Sequence, residues 1–176
     1  MIKNTSLKNK NVLITGGAGF IGSELTKQAL SLGANVSVVD NLVNGKKSNL
    51  NLDDKNLMFY EEDIRNQQVM QNLITKSDYV FNLACLGVRH SIHSPIESHS
   101  VNADATLNLL KISRETDIKK FVHISTSEVY GTAKYVPMTE EHPTAPHTVY
   151  GASKLAGEAY ALSLIHISEP TRLGAI

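Results

Sequence analysis

Short apolar runs and longer amphipathic stretches take turns along most of the chain. The runs are NVLIT (11–15), NVSVVD (35–40), NLMFY (56–60), DYVFNLA (78–84) and KKFVHIST (119–126). All but the third are rich in Val, Ile and Phe and bounded by Gly, Asp or Ser, the composition of strands buried on both faces. Between them, GFIGSELTKQALSLG, RNQQVMQNLITK and ESHSVNADATLNLLKISRETD place apolar residues three and four apart, the period of helices that cover a core. Strand–helix alternation with right-handed crossovers predicts an α/β fold: a doubly wound parallel sheet with helices on both faces. There is no internal repeat and no low-complexity linker. Segment 131–148, GTAKYVPMTEEHPTAPHT, holds three of the five prolines and reads as a long loop. A connection of that length in a compact domain is more often functional than idle.

The first predicted strand runs straight into TGGAGFIGS (15–23). Gly16, Gly19 and Gly22 follow a G-x-x-G-x-x-G spacing, and Gly17, Gly19 and Gly22 also satisfy G-x-G-x-x-G. Side chains here would keep the backbone from a pyrophosphate seated on the amides of the next helix. Such turns are common, but this one lies between a strand and a helix, and Asp40 closes the second strand about 20 residues on, where a ribose-binding carboxylate belongs. A carboxylate there accepts from ribose hydroxyls and repels a 2′-phosphate, so the expected cofactor is NAD rather than NADP. Further on, Tyr150 and Lys154 stand four residues apart, neighbours on one face of a helix.

Composition narrows the partners. Lys+Arg and Asp+Glu balance at 17 each, so no nucleic acid and no anionic membrane surface is expected. No apolar span reaches the roughly 18 residues of a membrane helix and no signal peptide is recognisable. A single cysteine, Cys85, excludes an internal disulfide and fits a reducing cytoplasm. His90 and His93 could share a helical face, but no acidic or thiol ligands accompany them, so no metal site is expected.

TGGAGFIGS, DNLVNGKKSNL, EEDIR, NLAC, HISTSEVYG and YGASK occur in the order and spacing of the extended short-chain dehydrogenase/reductases. Over residues 9 to about 161 the chain most resembles the NAD-dependent nucleotide-sugar epimerase/dehydratase family within them. The resemblance implies an NAD(P)-binding Rossmann fold and places Gly16, Gly19, Phe20, Ile21, Gly22, Asp40 and Asn41 at the dinucleotide. It puts Asp63 and Ile64 against the adenine, and Leu83, Ala84 and Cys85 beside the bound cofactor. Cys85 stands where the family has a small residue and equally suits a small apolar filler. Tyr150 and Lys154 match the family's Tyr-x-x-x-Lys pair, which also borders the cofactor. A free phenol has a pKa of about 10 and is a poor base at neutral pH. The Lys154 ammonium and the oxidised nicotinamide are expected to pull it toward 7. Thr126 matches the family's Ser/Thr, whose hydroxyl bonds the sugar oxygen and can pass a proton.

The implied reaction is oxidation of a sugar hydroxyl of a nucleotide-sugar substrate, with hydride passed to NAD and returned to the other face, as in UDP-sugar 4-epimerases such as UDP-glucose 4-epimerase. Family dehydratases carry an Asp-Glu dipeptide after the threonine, and here Ser127-Glu128 stands there. The missing Asp speaks against 4,6-dehydration. Glu128 is either an acid–base group or a polar flank, and STSEVYG also resembles UDP-glucuronate decarboxylases. A non-catalytic dinucleotide-binding sensor is the alternative of another class, though it would need none of Thr126, Tyr150 and Lys154. Family members commonly pair as homodimers through helices like 99–116 and that of Tyr150. From Leu162 the resemblance stops. LSLIHISEPTR resembles the translation of a transposase-type sequencing-library adapter, with a natural amphipathic tail as the rival reading. The expected organisation is therefore an incomplete NAD-binding domain over 1–161 and a non-native tail over 162–176. The substrate-binding C-terminal region is expected to be missing, and the polypeptide to be inactive and poorly folded alone.

Overall fold

A computed structural model describes residues 6–168. The five apolar runs are strands: β1 (Asn11–Thr15), β2 (Asn35–Val39), β3 (Leu57–Tyr60), β4 (Tyr79–Asn82) and β5 (Lys120–His123). They form one sheet in the order β3-β2-β1-β4-β5. β1 pairs in parallel with β2 and with β4, and β2 with β3. The chain winds outward from β1 to β3 and then returns to β4 on the other side. That reversal leaves a crevice at the carboxyl ends of β1 and β4, where open α/β sheets hold their ligands.

By contacts the chain divides into two units, residues 1–84 with 112–122, and residues 85–111 with 123–176. In the first, Val12 and Ile14 of β1 join Val36 and Val38 of β2, Leu57, Ala29 and Ala34 in one buried cluster. Each large aliphatic side chain so buried contributes about 1.5–3 kcal/mol. Helix α1 (Phe20–Ser31) buries only Gly22, Thr26 and Ala29, small residues that let its backbone come close. Helix α2 (Gln67–Ile74) is capped by the Asn66 side chain, which accepts from the Val69 amide, and buries Met70, Leu73 and Ile74.

The second unit is mostly helical. Helix α3 (Val88–His93) was not expected beyond the shared face of His90 and His93, and His90 Nε2 lies 2.9 Å from a Glu97 carboxylate oxygen. The long helical stretch expected over 97–117 is broken into α4 (Pro95–His99), a π-helical segment (Ser100–Ala105) and α5 (Thr106–Arg114). Pro95 opens α4 at the position where its missing N–H costs nothing. Helix α6 (Val149–Ser168) runs through residue 161 without interruption; Pro170 and the rest of the expected tail lie outside the described residues. No described helix is long and apolar enough to cross a membrane.

Segment 131–148 is a loop, as its prolines require, yet it is tied down. His142 is buried, and its Nε2 accepts from the Lys134 amide at 2.9 Å while its Nδ1 meets the Pro143 carbonyl at 3.0 Å. Nδ1 therefore carries the proton. The Tyr130 and Tyr135 rings lie against this imidazole at 5.5 and 4.7 Å between centroids.

Candidate active site

The first unit holds the glycine-rich turn and the residues expected at the dinucleotide. Gly16 has φ +69°, and a Cβ there would lie 2.8 Å from the Ala84 nitrogen. A Cβ on Gly22 would strike Gly16 and Gly17 backbone. These glycines let β1, the turn, the start of α1 and the end of β4 nest on one another. By contrast, a Cβ on Gly19 would meet only the Gly16 carbonyl oxygen, at 3.2 Å. That leaves room at the helix N-terminus for a ligand's phosphates. Phe20 and Ile21, 94% and 64% exposed, stand at this end, and no acidic residue neutralises it. The turn can thus take a dinucleotide pyrophosphate on free amides of positive polarity.

Asp40 is buried at the end of β2, and its oxygens accept from the Ala18 amide at 2.9 Å and the Leu42 amide at 2.8 Å. Each oxygen keeps a second lone pair for a ribose hydroxyl. Asn41 donates to Asp63 at 3.0 Å. The Asp63 carboxylate also takes two side-chain bonds from Arg65, at 2.9 and 2.8 Å, and the Arg65 amide at 2.8 Å. The Arg65 side chain, first, and these amide donors hold its pKa down to about 2. So the Asp63 side chain is already engaged, and Ile64 is buried at 5% exposure. Leu83 and Ala84 are fixed by Thr15, whose carbonyl and hydroxyl accept their amides at 3.2 Å each. The Thr15 hydroxyl in turn donates to Asn82 at 2.7 Å.

The second unit brings together Cys85, Thr126, Glu128, Tyr150 and Lys154. Thr126 lies three residues past the end of β5 rather than in it, and caps the turn Ser127–Val129, its hydroxyl accepting from the Glu128 amide at 3.3 Å. Glu128 is exposed and accepts a long bond, 3.5 Å, from the Thr148 hydroxyl. Lys154 is 2% exposed, and its ammonium donates to the Ile124 carbonyl at 2.5 Å. Burial pushes its pKa below the usual lysine value, opposed by Cys85 and Glu158. The expected pull on the phenol comes from Lys154 and oxidised nicotinamide together, and on balance the chain's own atoms act in the other direction. Burial pushes the Tyr150 pKa above 10, Cys85 adds to the rise, and the Thr126 hydroxyl, hydrogen-bonded to the phenol, pulls it back. Lys154 is not among the leading influences on the phenol; its ammonium points to the Ile124 carbonyl.

Sequence reasoning missed Asn102. This side chain, 1% exposed in the π-helical segment, accepts from the Leu86 amide at 2.8 Å and donates to the Leu86 carbonyl at 2.9 Å. It also donates to Ser153 on α6 at 3.1 Å, and Ser153 donates to the Tyr150 carbonyl at 2.8 Å. One amide thus joins the residue after Cys85 to the helix of the Tyr–Lys pair. An asparagine inside an otherwise helical pattern was its only sequence signal, and helices often carry such residues on a solvated face.

Known proteins resemble this assembly. The family model described as GDP-mannose 4,6 dehydratase matches residues 13–168. UDP-glucose 4-epimerase of Halalkalibacterium halodurans is 39% identical over 150 residues, 84% of this chain and 44% of that protein. Among solved structures, UDP-N-acetylglucosamine 4-epimerase from Methanobrevibacter ruminantium M1, in complex with UDP-N-acetylmuramic acid, aligns at TM-score 0.85 and 35% identity. It covers 90% of this chain and 51% of that one. DesIV of Streptomyces venezuelae, a dTDP-glucose 4,6-dehydratase with NAD and TYD bound, aligns at TM-score 0.80 and 31% identity over 92% of this chain and 52% of that one. The chain spans about half the length of the relatives it matches. With its parallel sheet, glycine turn and Tyr–Lys helix, the chain belongs to the epimerase/dehydratase family of extended short-chain dehydrogenase/reductases, a family of NAD-dependent enzymes.

Proposed function

We propose that residues 1–161 are the NAD-binding part of a nucleotide-sugar epimerase of the UDP-sugar 4-epimerase type. The observation that carries this reading is the Tyr150 phenol in hydrogen-bonding reach of the Thr126 hydroxyl, with Ser127 where a dehydratase would have an Asp. NAD, when bound, would supply the hydride acceptor and a positive charge beside the phenol. Asp40 holds the adenosine ribose and the α1 N-terminus holds the pyrophosphate. Tyr150 takes the proton of the sugar hydroxyl, with Thr126 bonding the same oxygen. Because burial raises the phenol, Tyr150 serves as base only when the bound site favours phenolate. Lys154 stays buried and keeps a positive charge on the Tyr150 helix. The full-length enzyme then works as a homodimer in the cytoplasm.

A second reading, 4,6-dehydratase or UDP-glucuronate decarboxylase, is kept open by Glu128, whose charge bears on Tyr150. Product analysis by NMR of the full-length enzyme with UDP-glucose, UDP-N-acetylglucosamine and UDP-glucuronate separates the two. A C4 epimer is expected, and Tyr150→Phe should lower turnover by at least roughly 100-fold. A 4-keto-6-deoxy sugar or a pentose product, lost on Glu128→Gln, would establish the second reading instead.

A further inference from the structure

The segment DNLVNGKKSNL has a role beyond Asp40. Ala18, in the middle of the glycine-rich turn, is fully buried, and both peptide groups that flank it are gripped from this segment. Its amide donates to Asp40, which fixes the Gly17–Ala18 peptide plane. Its carbonyl accepts from the Asn49 side chain at 2.8 Å and from the Lys46 amide at 3.1 Å. A peptide is planar, so an immobilised Ala18 carbonyl sets the direction of the Gly19 N–H on the other side of that plane. Gly19 is the N-cap of α1, and its amide closes the turn onto the Gly16 carbonyl at 3.1 Å.

Asn49 is itself anchored. It ends a 3-10 turn, Lys47–Asn49, in which Lys47 makes an ion pair with Glu61 at 2.5 Å and lies 5.6 Å from the Phe59 ring centre. Gly45 completes the fit, since a Cβ there would come within 2.7 Å of the Asp40 carboxylate.

We propose that Asn49 is a positioning residue for the dinucleotide: it holds the Ala18–Gly19 peptide so that the first amides of α1 face the pyrophosphate. The proposal rests on the NAD reading above. It is tested on the 176-residue chain by calorimetric titration with NAD, thermal unfolding and amide hydrogen exchange in wild type, Asn49→Ala and Asn49→Asp. Asn49→Ala should weaken NAD roughly three- to tenfold, the range open to one orienting hydrogen bond, with the thermal midpoint moved by less than about 4 °C. Asn49→Asp keeps the shape but offers no donor, and should bind NAD no better than the alanine variant. The Gly19 amide should exchange faster in both. Unchanged NAD affinity, or a loss of affinity matched by general unfolding, overturns the proposal. If the wild-type chain takes no NAD, this span of about half its relatives' length does not suffice for the cofactor. Exchange then still decides the clamp: a Gly19 rate unaltered by Asn49→Ala sinks it, and a faster one upholds it.

Discussion

Single residues in this protein carry more than one duty, and His123 shows the cost. At the end of β5 its imidazole is pushed down to about 4, first by burial and then by the Lys154 charge. An unfolded histidine titrates near 6.5. The unfolded chain therefore takes up the proton first as pH falls, and the stabilisation present above pH 6.5 is lost progressively down to about pH 4. Roughly 3 kcal/mol is at stake. Urea unfolding measured across this range should show that limb, and His123→Gln should flatten it. Asp63, held near 2, loses its stabilising ionisation only below its unfolded value of 3.8, so the two effects fall in separate windows. A limb that survives His123→Gln would move the acid sensitivity to another group. Asp40 has two duties as well, since its bonds to Ala18 and Leu42 brace the turn that any ribose must meet. Asp40→Ala would therefore loosen the turn as well as remove the proposed ribose contact, and loss of NAD binding in that variant would mix both causes.

At the scale of elements, the long helical stretch yields to a π-helical segment because one buried side chain needs to face inward. Ser98, Asn102 and Ser153 share an amide between α4, the π segment and α6. The Thr106 hydroxyl donates to the Asn102 carbonyl at 2.8 Å, which holds the backbone where the repeat changes. Such insertions put a helical side chain out of its ordinary register. Asn102→Ala would leave the Leu86 amide and carbonyl buried without this partner, at about 2–4 kcal/mol. Equilibrium unfolding should read that loss, and hydrogen exchange at Leu86 should rise more than at β1. Equal protection at both places would show that the clamp is unnecessary for the Leu86 loop. Helix α6 is held more strongly still, by the Lys154 bond to the Ile124 carbonyl and by the Ser125 hydroxyl, which donates to Glu158 at 3.0 Å.

For the whole molecule, the sheet ends on β3 and β5 among the described residues. β5 leaves Phe121 and Val122 half-exposed, and β3 exposes Met58 at 59%. Unpaired edges with apolar side chains are templates for other chains. The 176-residue chain should therefore self-associate beyond a dimer at concentrations above about tens of micromolar, read as a rise in light scattering with concentration. Val122→Lys, a charge on the edge, should suppress the rise. A monodisperse species at every concentration would refute this expectation.

What the sequence by itself determined was whatever depends on local period and local chemistry. Alternation of apolar runs with helical stretches marked all five strands, most clearly β1 and β2, whose side chains are mostly buried. The glycine spacing placed the turn, since only glycine fits at Gly16 and Gly22. The place of Asp40 at the close of β2 and of Tyr150 and Lys154 on one helical face was legible for the same reason, while the roles expected of the pair came from the family resemblance. Tertiary structure alone decided where charges and hydrogen bonds are spent. Lys154 reaches the Ile124 carbonyl 30 residues away, and Arg65 with Asn41 consumes the Asp63 side chain. Asn102 and Asn49 became visible only once their backbone partners, 16 and 31 residues distant, came within reach. Desolvation, which raises the Tyr150 phenol and lowers Lys154, belongs to no residue type. It comes from the atoms packed around a group, and those are brought together only by the fold.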